Sequence, residues 1–329
     1  MIIKKEKKSG IWIYYVDKDY DDAHLEKKLS SKLTRAQIRT IIDHDSDVYT
    51  KEGTLLLRFR KNKLNRQHID AFYDNVIKFA MNTTSNRGIA TGITDGGIYT
   101  NKRTMTNILG YFDKLSPRQK FAYRQNGVTL PKITVRETRF MMDYPEQYNK
   151  ALPLIKEIDA YYREYIPENY GKQRKKANET PFHIDGTAFT TITTNVNFQT
   201  LLHTDKGDDN EGFGNLAVIE RGSYSGGETC FPQYGIGVDV RTGDILYMDV
   251  HQPHANLPIS LKSKDSVRLS IVCYLRKSIW MQTRGKSKEF AAKHNKMMRN
   301  NRRIVNPSDL GKKTQKNGVK HNKTKKKKQ

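Results

Sequence analysis

Two short stretches carry the residue types that hold metals. LLHTDKGDDNEGFGN, residues 201–215, contains His203, one spacer and Asp205; DVHQPHANLPIS, residues 249–260, contains His251 and His254. Two histidines and one carboxylate on a metal leave three coordination positions open, the facial arrangement of non-haem Fe(II) oxygenases. That arrangement needs an HxD pair at a strand end and a second histidine brought from far along the chain. HTD closes a predicted strand, and His251 and His254 follow the predicted strand GDILYMDV, so either could reach inward from the turn. A second HxD, His183-Ile184-Asp185, precedes the Thr-rich strand and would sit a whole strand away. A calcium loop starting at Asp205 fails, because Leu216 stands at its twelfth position, where a glutamate is needed.

A third stretch supplies a cation. In VRLSIVCYLRKSIW, residues 267–280, period-two alternation puts Arg268, Ser270, Val272, Tyr274 and Arg276 on one face. A guanidinium turned into an otherwise apolar barrel requires an anion, because a buried unpaired charge is costly. A carboxylate-bearing cosubstrate beside the metal would meet Arg268 with two parallel hydrogen bonds; an internal salt bridge is the equal alternative on spacing alone.

The elements that must position these residues are legible in outline. FTTITTNVNFQTLLH, NLAVIERG, GGETCF, GIGVDV, GDILYMDV and VRLSIVCYLR are short Thr-, Val- and aromatic-rich runs separated by Gly and Pro, the texture of a sandwich or barrel. Upstream, SSKLTRAQIRTIIDH reads as a Ser-capped helix and VYTKEGTLLLRFRK as two strands turned at Glu52-Gly53. KLNRQHIDAFYDNVIKFAMN places Leu64, Phe72, Val76 and Phe79 at helical spacing; SPRQKFAYRQN and residues 144–166 add two more helices. The Gly-rich RGIATGITDGG and NEGFG read as loops that could close around a substrate. The expected fold class is α+β, a barrel with supporting N-terminal helices. The expected divisions are a flanking segment 1–62, a main domain 63–283 with its barrel core at 186–277, and a basic end 284–329, helical to about 303 and disordered beyond.

Charge marks that end. The chain of 329 residues carries +24, of which +15 lies in residues 281–329, so the terminus suits a polyanion. Cys230 and Cys273 each sit in an apolar run, which supports neither a disulfide framework nor a multi-cysteine zinc site and fits a reducing compartment. No segment approaches the roughly 20 apolar residues of a membrane span, and the chain is expected to be soluble and intracellular.

From about 186 to 277 the chain resembles the Fe(II)- and 2-oxoglutarate-dependent dioxygenases, and within them the TET/JBP-like group that oxidises the 5-methyl group of pyrimidines in DNA. The resemblance is carried by GTAFTTITTNVNFQTLLHTDKGD, by GGETCFPQYGIGVDVRTGDILYMDVHQPHANLPI and by VRLSIVCYL. HxD, a later histidine and an arginine belong to the whole superfamily; GG-x-x-C-F-P-x-Y-G with GD-x-L-x-x-D and H-x-N-x-P points to this branch. The resemblance implies a double-stranded β-helix, a cupin-like jelly roll. It implies His203, Asp205 and His254 as ligands of Fe(II), with His251 a neighbour, and Arg268 and Ser270 holding the far carboxylate of 2-oxoglutarate, with O2 as co-reactant. It further implies that Asp208 contacts a flipped base and that Tyr274 gives the base a face. Arg276 stands where relatives acting on cytosine often place a histidine, which leaves 5-methylcytosine or thymine open. Gln199 lies where some relatives place an arginine on the cosubstrate, so that binding would lean on Arg268. DNA is the implied partner, reached through a basic surface and the Lys-rich tail, in a nucleus, nucleoid or virus. The alternatives are a prolyl or lysyl hydroxylase on the same barrel, and a non-enzymatic nucleic-acid-binding protein with a degenerate one.

Overall fold

The alternation read in residues 267–274 organises the whole molecule. In a computed structural model that describes residues 1–84 and 104–305, with the two-residue strands Thr94–Asp95 and Ile98–Tyr99, this strand lies at the centre of the larger sheet. In chain order the strands that matter are β1 (Ile2–Lys8), β2 (Ile11–Val16), β3 (Thr40–Ile42), β4 (Ser46–Thr50), β5 (Leu55–Arg60), β6 (Thr106–Phe112) and β7 (Thr191–Val196). After them come β8 (Gly214–Arg221), β9 (Thr229–Phe231), β10 (Ile236–Val238), β11 (Ile245–Met248), β12 (Ala255–Asn256) and β13 (Val267–Tyr274).

The large sheet runs β1-β2-β4-β5-β11-β8-β13-β7-β6, ending on a short strand at Arg136–Glu137. The small sheet runs β12-β9-β10-β3, and a bridge between His203 and His254 extends it beyond β12. Strands from β7 onward are thus shared between two facing sheets, with β11-β8-β13-β7 in one and the His203 segment, β12, β9 and β10 in the other. That order is a double-stranded β-helix. One face of the large sheet, with Leu216, Val218, Leu246 and Met248, meets Phe231, Ile236 and Val238 of the small sheet inside the barrel. The opposite face, with Ala217, Ile219, Ile245, Tyr247, Leu269, Ile271 and Cys273, is covered by helices.

The helices include α1 (Arg66–Ala80), α2 (Pro117–Gln125), α3 (Pro145–Tyr165), α4 (Pro167–Asn178), α5 (Lys277–Thr283) and α6 (Lys288–Val305), of which α1 and α3 supply most of that cover. Asn65 caps α1 by accepting from the Gln67 N–H, and Ser116 with Gln119 forms a capping box on α2. Ile69, Phe72 and Val76 of α1 pack with Leu154, Ile155, Ile158 and Tyr162 of α3 on the sheet. Each such fully buried side chain contributes about 1.5–3 kcal/mol of apolar burial, so the pair fixes the outer wall of the barrel.

One local expectation needs correction. The stretch SSKLTRAQIRTIIDH forms only a 3₁₀ turn, Arg35–Gln37, before passing into β3. The β-branched run Thr40-Ile41-Ile42 finds the open edge of β10 and pairs with it in parallel, and that tertiary edge outweighs helical spacing. Residues 167–178 form α4, which has little apolar periodicity of its own; only Gln173 and Ala177 are buried. The Glu52-Gly53 turn is as expected, with Gly53 at φ +81° between β4 and β5. Because β5 pairs with β11 and β3 with β10, the N-terminal residues extend both barrel sheets. The tail after Val305 and most of RGIATGITDGG lie outside the described residues. Among the described residues no helix is long and apolar enough to cross a membrane.

Candidate active site

His203 and His254 are bridge partners on adjacent segments of the small sheet. Their backbones exchange both hydrogen bonds, His203 N–H to His254 O at 3.0 Å and His254 N–H to His203 O at 2.9 Å, and the ring centroids lie 4.4 Å apart. Each Nδ1 sits against a backbone carbonyl, Leu201 O at 2.7 Å and Gln252 O at 2.9 Å. A carbonyl only accepts, so Nδ1 carries the proton in both rings and each Nε2 keeps a lone pair. Both Nε2 atoms turn to one carboxylate: His203 Nε2 lies 3.5 Å from Asp205 Oδ1 and His254 Nε2 lies 3.8 Å from Asp205 Oδ2. The three ligand atoms fall within 4.8 Å of one another, and both histidines are buried. Two imidazole lone pairs and a carboxylate converging with fixed tautomers fit a divalent iron.

The other histidines are committed elsewhere. His251 Nε2 donates to Asp209 O at 3.1 Å, and His183 Nδ1 donates to Thr180 O at 2.7 Å. Of the two histidines left open by spacing, it is His254 that bridges to His203 among the described residues.

Arg268 is 2% exposed on the inner face of β13. Its Nη2 donates to Gly227 O at 2.8 Å, its Nε has no hydrogen-bond partner, and no carboxylate lies within ion-pair distance of it among the described residues. Burial pushes the guanidinium below its ordinary pKa, with Tyr224 acting in the opposite direction. The internal salt bridge considered for Arg268 is therefore absent among the described residues, and the site fits an added anion such as a cosubstrate carboxylate. Gly227 allows this placement: at φ +80° a Cβ there would lie 2.7 Å from Arg268 Nε. Ser270 faces the same interior and accepts from Asn195 Nδ2 at 3.3 Å.

Asn256 links the two halves of the site and carries no charge to draw attention in the sequence. Its side chain accepts from Thr200 Oγ1 at 2.7 Å, on the approach to His203, and donates to Gly227 O at 3.2 Å, beside Arg268. Gln199 donates to Leu33 O and Asn256 O, so it braces the same corner.

Asp208 and Arg276 form a cross-strand pair flanked by hydrogen bonds from Lys277 N–H to Gly207 O and from Asp209 N–H to Leu275 O. In such a non-hydrogen-bonded pair the two side chains are close neighbours. Arg276 donates from Nε to Asp113, which also accepts from Ser278 Oγ, and the guanidinium stacks on Phe112 with Cζ 4.6 Å from the ring centroid. Asp113 is 5% exposed and carries no motif, and sequence reasoning missed it. Tyr274 is buried, its hydroxyl 3.1 Å from Thr193 Oγ1.

Asp209 is buried and pairs with Lys176 of α4, while Glu211 stays exposed and shares the same lysine. NEGFG is packed: Phe213 N–H donates to Tyr162 Oη at 2.9 Å, and a Cβ on Gly214 would lie 2.3 Å from Val250 Cγ1.

Residues 120–277 match the Tet_JBP family model, described as the oxygenase domain of the 2OGFeDO superfamily. The chain is 27% identical over 263 residues to thymine dioxygenase JBP1 of Trypanosoma brucei brucei, covering 78% of this chain and 29% of that protein. It is 33% identical over 172 residues to the bifunctional helicase and thymine dioxygenase JBP2 of Leishmania braziliensis, covering 52% of this chain and 14% of that one. The chain thus spans less than a third of the length of these curated relatives. Among solved structures, NgTET1 in complex with 5mC DNA is similar at TM-score 0.48 and 13% identity, covering 84% of this chain and 100% of that chain.

Proposed function

We propose that the protein, whose residues 120–277 match the Tet_JBP oxygenase-domain model, is an Fe(II)- and 2-oxoglutarate-dependent dioxygenase that hydroxylates the 5-methyl group of thymine or 5-methylcytosine in DNA. The observation that supports it most is one arrangement. His203, Asp205 and His254 converge at the barrel mouth, and a fully buried Arg268 without a carboxylate partner among the described residues lies in the same interior. The relatives named thymine dioxygenases favour thymine as the first base to test.

His203, Asp205 and His254 would hold the iron, and their fixed Nδ1 contacts keep both lone pairs aimed at it without reorganisation. Arg268, with Ser270 beside it, would hold the far carboxylate of 2-oxoglutarate. Iron and 2-oxoglutarate, when bound, supply the oxidation: one atom of O2 goes to the methyl group as hydroxyl, the other to succinate, and CO2 leaves.

A methyl group in stacked duplex cannot reach a metal inside a barrel, so the nucleotide must leave the stack. Asp208 would accept from thymine N3–H or cytosine N4–H, and Arg276, which only donates, would reach thymine O4 or cytosine N3. Tyr274 would give the ring a face. The domain that does this consists of residues 63–283 around the barrel core 186–277. The basic end 284–329 adds contacts to phosphate.

The test is to incubate the protein with Fe(II), 2-oxoglutarate and DNA containing thymine or 5-methylcytosine, then digest and measure nucleosides by mass spectrometry. A 5-hydroxymethyl product on one base is expected. Hydroxylated peptides with no modified base on any DNA would replace this reading by the protein-hydroxylase one.

A further inference from the structure

Asp113 binds Arg276 and Ser278 together, so the segment entering α2 and the first turn of α5 are fastened side by side next to the Asp208 loop. What these two segments present to solvent is of one kind. Residues 114–126 contain no acidic residue and expose Lys114, Lys120 and Arg124; residues 277–288 contain none either and expose Arg284, Lys286 and Lys288. Each also exposes a large apolar side chain, Phe121 at 61% and Met281 at 59%.

Helix α2 is anchored by its other face. Tyr123 is buried with Leu115 and with Met298 of α6, which turns Lys120, Phe121 and Arg124 outward at helical spacing. A lone exposed apolar residue is ordinary on a protein surface. A phenylalanine set between two cations, on segments that contain no acidic residue of their own and are tied to the Arg276 pair, with Glu179 beside them engaged by Trp280 Nε1, fits a polyanion with an apolar interior, and duplex DNA has both properties. Its phosphates meet lysine and arginine, and its base stack admits an apolar wedge at an opened step.

We propose that this basic rim, α2 with the start of α5, is the face on which duplex DNA docks, and that Phe121 enters the base stack beside the nucleotide that flips toward His203, Asp205 and His254. The proposal rests on the DNA-base oxygenase reading above, and it locates the contact on the folded domain, apart from the Lys-rich tail.

The experiment uses the full chain and two sets of exposed substitutions, K120E/R124E and Phe121→Ala, neither of which touches the metal or cosubstrate residues. Binding to a short duplex is measured across a salt series, and 2-aminopurine beside the target base reports unstacking. K120E/R124E is expected to weaken binding about tenfold or more and to flatten the log–log salt slope by about 2. Phe121→Ala is expected to keep the salt slope while losing most of the fluorescence rise seen with the unsubstituted protein. An unchanged slope in the charge variant overturns the docking face. An equal rise with Phe121→Ala, or no rise with the unsubstituted protein, overturns the wedge. Absence of any hydroxymethyl nucleoside with both binding effects intact would sink the oxygenase reading and leave the docking face standing.

Discussion

Replacing Arg268 with methionine separates what that residue does for the fold from what it does for a ligand. In the unliganded protein two effects oppose each other. The change leaves Gly227 O, the acceptor at 2.8 Å, without its donor, which costs about 1–3 kcal/mol. It also removes a fully buried guanidinium that has no carboxylate partner among the described residues, and relief of such a charge is worth a similar amount. The unliganded melting temperature should therefore stay within a few degrees. With 2-oxoglutarate the balance differs, because the variant leaves a buried carboxylate unpaired, at about 2–4 kcal/mol, or about 30- to 1000-fold in Kd. Thermal unfolding in the absence of O2, with Mn(II) standing in for iron, reads both effects at once. The unsubstituted protein at a hundredfold excess of 2-oxoglutarate over Kd gains about 2.7 kcal/mol, which raises Tm by about 5 °C. Arg268→Met at the same concentration should rise by no more than about 2 °C. An undiminished rise would refute Arg268 as the carboxylate partner, and an unliganded Tm lower by ten degrees or more would show that the guanidinium is there for the fold.

Further outcomes follow from the same geometry. Asp113→Ala strips the anion from the buried Arg276, at about 3–5 kcal/mol, and calorimetry should record a Tm lower by about 5–10 °C; a change under one degree would mean that Asp208 compensates the cation unaided. Burial raises the pKa of Asp159, against the hydrogen bonds it accepts from Ala188 N–H and Tyr170 Oη. Its contribution is fully present below its unfolded pKa of about 3.9 and is lost as pH rises through the higher folded value. Asp159→Asn, which keeps an acceptor for Ala188 N–H, should be more stable than the unsubstituted protein in urea at pH 7 and lose that advantage near pH 3. An advantage equal at both pH values would contradict the raised pKa.

The sequence made His203, Asp205 and the inner face of β13 legible because both are local patterns, an HxD triplet and strict alternation through residues 267–274; the strand expected to end at HTD stops at Val196, and His203 joins the small sheet by a single bridge. What lay beyond it depended on pairings between distant segments. Spacing alone left His251 and His254 open; the resemblance implied His254, and the bridge to His203 supports it. Asp113 meets Arg276 across 163 positions, and nothing in YFDKLS marks it as part of a site. The burial of Asp209 required Lys176, on a helix whose own sequence has little apolar periodicity. The strands before residue 61 joined the barrel for a related reason, since an edge such as β10 or β11 selects its partner by tertiary pairing. Family resemblance supplied the ligand roles; the structure adds the fixed Nδ1 contacts, the Gly227 cradle and the Asn256 link.

The central claim is that the triad and Arg268 together couple consumption of 2-oxoglutarate to hydroxylation of a base in DNA. The most direct measurement counts succinate and hydroxymethyl nucleoside in the same reaction, with the unsubstituted protein and with Asp205→Ala, which removes the carboxylate facing both Nε2 atoms. The account predicts near-equal amounts of the two products on one pyrimidine with the unsubstituted protein and neither with Asp205→Ala. Succinate formed without any hydroxymethyl nucleoside, or nucleoside product surviving Asp205→Ala, would contradict it.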